Sequence, residues 1–234
     1  MGSNINFDTF LYLSPKKIIL SVNKKQSLKS IYKNEILIDN FSNEIDFKKL
    51  DKFLNENIFK IEKNLGNFVK NISIGIFSEN IFNLQISVKK NNHNNKIDDT
   101  ALIYLLNEAK DQCEKSIQNN KIIHILIDSY RVDKKFFFEL PSNIKCESFS
   151  LDLTFICLSL NLIKELEKTF EKYQISVSQI LCAKYIEEYS EKENIDFFST
   201  MEKIINGYNK NEVKLVDKIP KNRGFFEKFF DFFS

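Results

Sequence analysis

The stretch Asp46–Phe77 reads DFKKLDKFLNENIFKIEKNLGNFVKNISIGIF, and its hydrophobic period changes part-way along. Phe47, Leu50, Leu54, Ile58, Ile61 and Leu65 recur every three or four residues, the spacing that lines one face of a helix. Asp46 stands where an N-cap carboxylate takes up free amide groups, and Gly66 where a left-handed C-cap is wanted. Ile72–Phe77 follows as a short apolar run, which predicts a buried strand. A helix that feeds a buried strand is the joint of an α/β fold.

Upstream of this joint, Lys17–Val22, Ser27–Lys33 and Glu35–Phe41 are β-branched or aromatic runs separated by short polar breaks. They predict an antiparallel meander, so the chain opens β-β-β-α-β. Downstream, Leu84, Ile86 and Val88 alternate, Asn91–Asn95 reads as a polar loop, and Asp98–Gln118 as a helix with Leu102, Leu105, Leu106, Ala109 and Cys113 inward. Strands at Ile122–Asp128 and Arg131–Phe138, a turn at Pro141–Asn143 and a returning run at Ile144–Phe149 complete a strand-helix-strand-strand module. Leu151–Leu160 is then expected as strand. Leu162–Tyr173 and Ser178–Glu191 are expected as helices, the first with Leu166, Phe170 and Tyr173 inward. Ser199 and Glu202 have the spacing of a capping box for a helix ending at Gly207. Lys210–Arg223 shows no period and reads as linker.

The stretch Gly224–Ser234, GFFEKFFDFFS, has another character. On a helix Phe225, Phe226, Phe229, Phe230, Phe232 and Phe233 share one side, and Glu227, Lys228, Asp231 and Ser234 the other. It is far below the about 20 apolar residues that cross a bilayer. Burial of the rings, set against the entropy of ordering the segment, leaves a surplus of a few kcal/mol. One copy would bind a membrane reversibly and several together firmly. Lys210, Lys214, Lys218, Lys221 and Arg223 outnumber Glu212 and Asp217 in the preceding segment, which suits an anionic lipid surface. The expectation is that the six Phe insert while Lys221 and Arg223 meet lipid phosphates.

With 234 residues and 43% hydrophobic content the chain can form one large domain or two small ones around a real core. A net charge of +2 without a long basic face argues against a nucleic-acid partner. Cys113, Cys146, Cys157 and Cys182 lack paired spacing, which points to buried free thiols in a reducing cytoplasm. No basic and hydrophobic leader opens the chain, so no signal peptide is expected. His93 and His124 have no Cys, Asp or Glu at ligand spacing, and no serine lies in a nucleophile elbow. Five glycines cannot supply a Gly-rich phosphate loop. The acidic residues of Glu165–Glu171 alternate with lysine as on a solvated helix face. No enzyme, no metal site and no cofactor are expected.

Several strings resemble the FtsA family of actin-like bacterial division proteins. Val69–Ile81, VKNISIGIFSENI, looks like the strand and turn leading into the family's inserted subdomain, called 1C. Ile122–Asp133, IIHILIDSYRVD, resembles a strand pair of that subdomain, with a histidine, a hydrophobic run, a tyrosine, a β-branched residue and an aspartate in order. Leu153–Ile180 is similar to the return strand and helix of subdomain 1A, Phe197–Tyr208 to its last helix, and the Phe-rich terminus to the membrane-targeting helix. The resemblance implies half of an actin-like (ribonuclease-H-like) α/β fold with an inserted strand-helix-strand-strand subdomain. Residues 1–79 and 150–208 would form the 1A-like part, 80–149 the 1C-like insert, 209–223 a linker and 224–234 the amphipathic helix.

The departures are as telling. Where the family carries an Asp-x-Gly-Thr phosphate turn, this sequence reads Tyr12-Leu13-Ser14-Pro15. The second phosphate motif and the second lobe have no counterpart, which counts against ATP binding. They count equally against contact with the tubulin-like partner FtsZ, whose tail the second lobe holds in the family. What the resemblance still implies is a scaffold on the inner-membrane lipid surface, at the cytoplasmic face and at the division site. It would recruit division proteins and could associate with itself. Three rivals stand beside it: a PilM-like pilus-assembly adaptor, a residual ATPase, and a peptide-binding module whose Phe helix docks on a protein.

Overall fold

The computed structural model describes residues 6–25, 30–39, 42–141 and 144–214. Strands β1 (Phe7–Leu13), β2 (Lys17–Lys24) and β3 (Ser30–Leu37) form the meander, α1 spans Phe47–Leu65, and β4 covers Asn71–Ile76. β5 (Ile81–Lys96), α2 (Asp99–Ser116), β6 (Asn120–Val132), β7 (Lys135–Phe137) and β8 (Lys145–Ser159) follow. α3 (Leu160–Glu171), β9 (Ser176–Cys182), α4 (Ala183–Glu193) and α5 (Phe197–Ile205) complete the order.

Asp46 caps α1 as expected, its carboxylate accepting the Lys49 amide, and Gly66 ends it at φ +63°. The strands build two sheets, ordered β3-β2-β1-β4-β9 and β5-β8-β6-β7 among the described residues. In the first, β2 runs antiparallel to β1 and β3, while β1, β4 and β9 are mutually parallel. That order and sense are those of half an actin-like, ribonuclease-H-like fold, and the β5–β8 sheet with α2 is its insert. α1 and α3 cover one face of the first sheet, where Leu50, Leu54, Ile61, Leu166 and Phe170 are buried against Leu11, Leu13 and Ile74. α4 and α5 cover the other, where Ile186, Phe198, Met201 and Ile204 meet Phe10. Gly75 in β4 makes that second contact possible: a Cβ there would sit 2.8 Å from Phe197 Cζ.

Several boundaries differ from those the sequence predicts. β1 precedes the first predicted strand, and the two runs on either side of Asn34 are one strand. The Asn91–Asn95 segment is a bulge inside β5, with His93 and Asn94 at positive φ, rather than a loop that ends it. Residues 178–182, read as the start of a helix, belong instead to β9, because the free parallel edge of β4 takes them. α5 is capped by Asp196, which accepts the Phe198 and Ser199 amides, so Ser199 lies inside the helix and makes no capping box.

Candidate functional site

The end of β1 and the turn joining it to β2 carry Tyr12-Leu13-Ser14-Pro15, the positions that the sequence resemblance matches to a phosphate turn. Ser14 is buried, and its hydroxyl donates to the Lys17 carbonyl while accepting the Lys17 amide at 2.9 Å. The Ser14 amide also donates to the Lys17 carbonyl, at 2.9 Å. A phosphate cradle needs amide groups pointing outward, and here the Ser14 N–H is directed back into the hairpin. Tyr12 packs edge-on against Phe197, with ring centroids 5.2 Å apart. Burial, with the nearby Glu187 carboxylate, pushes the Tyr12 phenol above its ordinary value.

A second constellation lies where the two sheets meet. His124 in β6 is buried, and its Nε2 accepts the Cys182 amide at 3.0 Å. An amide can only donate, so the ring proton sits on Nδ1 and is donated to Glu212 Oε1 at 2.7 Å. The other Glu212 oxygen accepts the Tyr185 hydroxyl at 3.0 Å, and Tyr185 in turn accepts from Asn209 Nδ2 at 2.5 Å. Burial and the Glu212 charge push the Tyr185 phenol up. Backbone bonds add to the grip: Ile127 donates to Asn211 at 2.8 Å and Val213 to Ile125 at 2.9 Å. Residues 209–213, read from sequence as the start of a linker, are therefore fastened to β6 and α4.

Beside this cluster runs a groove of about 490 Å³, walled by Lys121–Ile125 of β6 on one side and Val177–Leu181 of β9 on the other. Among the described residues β9 pairs with no strand but β4, so apart from the Cys182 amide held by His124 its second edge faces the groove. An extended peptide can add to such an edge through its own backbone.

The predicted membrane-contacting residues Lys221, Arg223, Phe225, Phe226, Phe229, Phe230, Phe232 and Phe233 lie outside the described residues. Among the described residues no group of three His, Cys, Asp or Glu side chains is placed to hold a metal, and no helix is long and apolar enough to cross a membrane. All four cysteines are free and buried. Sequence reasoning set His124 aside as a histidine without an acidic partner, and the structure gives it one in Glu212. Glu212 lies 88 residues away and bears no motif, so no spacing rule could have joined them.

No family model and no curated protein matches this sequence. Solved structures do match. One is a PilM–PilN type IV pilus biogenesis complex, with 8% identity, a TM-score of 0.47, and coverage of 83% of this chain and 52% of that one. Another is the cytoplasmic domain of EpsL, an inner-membrane component of the type II secretion system of Vibrio cholerae, at 10% identity and TM-score 0.37, covering 75% and 58%. A third is a Bacteroides thetaiotaomicron protein with an actin-like ATPase fold and unknown function, at 13% identity and TM-score 0.35, covering 81% and 57%. The likeness is one of fold. The chain spans little more than half the length of each of these proteins.

Proposed function

We propose that this chain is a membrane-face adaptor of the FtsA type, in which half an actin-like fold serves as a scaffold rather than as a nucleotide clamp. The observation that carries the reading is the turn at residues 12–17, which closes on itself through Ser14 and is backed by the Tyr12 and Phe197 rings. The body would recruit partner proteins at the cytoplasmic face of the cell membrane, at the division site. The 224–234 helix would insert its Phe face with Lys221 and Arg223 at lipid phosphates. Two measurements test this. Calorimetric titration with MgATP is expected to show no binding, and tight binding would overturn the scaffold reading. Flotation with anionic vesicles is expected to carry the full chain but not one ending at Pro220, and equal flotation would refute the anchor.

A second reading, an adaptor in a pilus or secretion assembly, is favoured by the groove between β6 and β9, where an open strand edge suits an extended peptide. It would be tested by titrating the chain with peptides from the cytoplasmic tails of membrane proteins encoded beside it. Saturable binding at stoichiometric levels supports it.

A further inference from the structure

The hairpin of β6 and β7 carries an exposed apolar surface that the reading above does not use. Phe137 turns inward to the core under α2, but Phe136 is 59% exposed, Phe138 75% and Leu140 39%. Lys134 and Lys135 stand at the tip, and the Arg131 guanidinium lies over the Phe136 ring, 4.4 Å from its centroid. The Asp133 carboxylate accepts the amides of Glu147 and Ser148 at 3.0 and 2.9 Å, which staples the turn to β8 and engages its charge. Glu139 and Glu147 are further exposed acids beside the tip, and Arg131 also pairs with Asp152 at 3.7 Å. Exposed rings beside lysines, held out on a turn stapled to β8, suit an element that rests its apolar tips in a lipid interface.

We infer that the β6–β7 hairpin is a second lipid-contacting element, which rests its Phe136 and Phe138 rings on the same membrane surface as the 224–234 segment. The inference rests on the membrane reading proposed above. A protein partner or second copy fits the patch less well. Three such side chains cover about 600 Å² at most, short of the about 800 Å² per side of a stable complex. Added to a weak anchor on the same chain, the same area is effective through avidity. The geometry allows both contacts at once. β7 pairs with residues 130–132 of β6, and residues 211–213 lie along the same edge against 125–127. At about 3.3 Å per residue the two stations are about 23 Å apart, and the nine residues from 215 to 223 can reach about 30 Å.

The chain contains no tryptophan, so a single one reports its own surroundings. Three full-length variants, Phe138→Trp, Phe229→Trp and the control Phe59→Trp on the outer side of α1, are mixed with vesicles of equimolar phosphatidylcholine and phosphatidylglycerol. Part of the phosphatidylcholine carries brominated acyl chains. Fluorescence of the Phe138→Trp and Phe229→Trp variants is expected to shift to shorter wavelength and be quenched, with the Phe59→Trp variant unchanged. Quenching of Phe229→Trp without Phe138→Trp overturns the hairpin and leaves the anchor standing. Quenching of Phe138→Trp alone supports the hairpin and overturns the anchor; quenching of neither overturns both. The double substitution Phe136→Ser, Phe138→Ser is expected to weaken vesicle binding about tenfold, with the circular dichroism of the free chain unchanged.

Discussion

Replacing Glu212 by alanine tests whether the cluster at the junction of the sheets holds residues 209–213 in place. The carboxylate accepts one hydrogen bond from His124 Nδ1 and one from the Tyr185 hydroxyl, and the side chains of Glu212 and His124 are only 9% and 2% exposed. Glu212→Ala leaves two buried donors without acceptors, each worth about 1–3 kcal/mol. Removing a desolvated carboxylate returns part of that, and a water entering the vacated space returns more. A net loss of about 2–3 kcal/mol remains, or about 4–12 °C in Tm for a chain of this size. Glu212→Gln should lose less, about 1 kcal/mol, because the amide oxygen still accepts from His124 and the amide nitrogen donates to the Tyr185 oxygen, so only the Tyr185 hydroxyl proton must find another acceptor. Urea unfolding supplies the stabilities. Native-state hydrogen exchange at the Ile127 and Val213 amides shows whether the segment detaches, and both amides should exchange faster in the alanine variant alone. An alanine variant as stable as the glutamine variant, with those amides equally protected, would refute the reasoning.

Gly75→Ala should cost about 1–3 kcal/mol through overpacking against Phe197 and Ile186, and Phe197→Leu in the same chain should restore part of it in a thermal melt. Burial raises the Asp152 carboxyl, but hydrogen bonds from Ser87 and Ser129, with Arg131 nearby, outweigh it and hold the group below the usual carboxylate range. A carboxylate depressed on folding stabilises above its unfolded value of about 3.9 and loses that effect as pH falls through its folded value. The stability gap between the wild type and Asp152→Asn should therefore be constant near neutrality and shrink in urea titrations run below about pH 4. Burial, with Cys113 beside it, pushes the Cys157 thiol up to about 12, so neither it nor the other buried cysteines should react with iodoacetamide at mildly alkaline pH until denaturant is added.

The parts of the fold legible in the sequence are those whose local chemistry and tertiary role agree. α1 carries a cap at each end and a clean helical stripe, and β4 is apolar because it is buried on both faces. Where the two diverge, tertiary pairing wins. Val177, Ile180 and Leu181 have helical spacing, yet the parallel edge of β4 draws them into β9. Asn34 looks like a break between two strands, but its side chain and the Tyr32 hydroxyl both donate to the buried Asn57 of α1, and β3 runs through unbroken. Within a helical stripe Asn57 gives no sign of this role, since its partners lie more than twenty residues away. That residues 12–15 hold no Asp, Gly or Thr was legible, being a matter of residue type alone. The His124–Glu212 pair was not, because it forms only when the chain past α5 returns to the edge of β6.

That return matters because of what β8 does at the same junction. Phe149, Leu151, Leu153, Phe155 and Cys157 face the core under α2, Ile156 packs with Phe10 and the α4–α5 cluster, and Leu158 joins the core under α1 and α3. One strand thus enters all three apolar clusters, and α3 begins at the residue after it ends. A strand shared in this way cannot leave one cluster without disturbing the other two, so the sheets are joined by packing as well as by sequence. Residues 209–213 bind β6, the strand paired with β8, and reach α4 through Tyr185. A load carried by the segment beyond Lys214 would enter the protein at this point and be shared by both sheets. A segment leaving directly from the end of α5 would load that short helix alone.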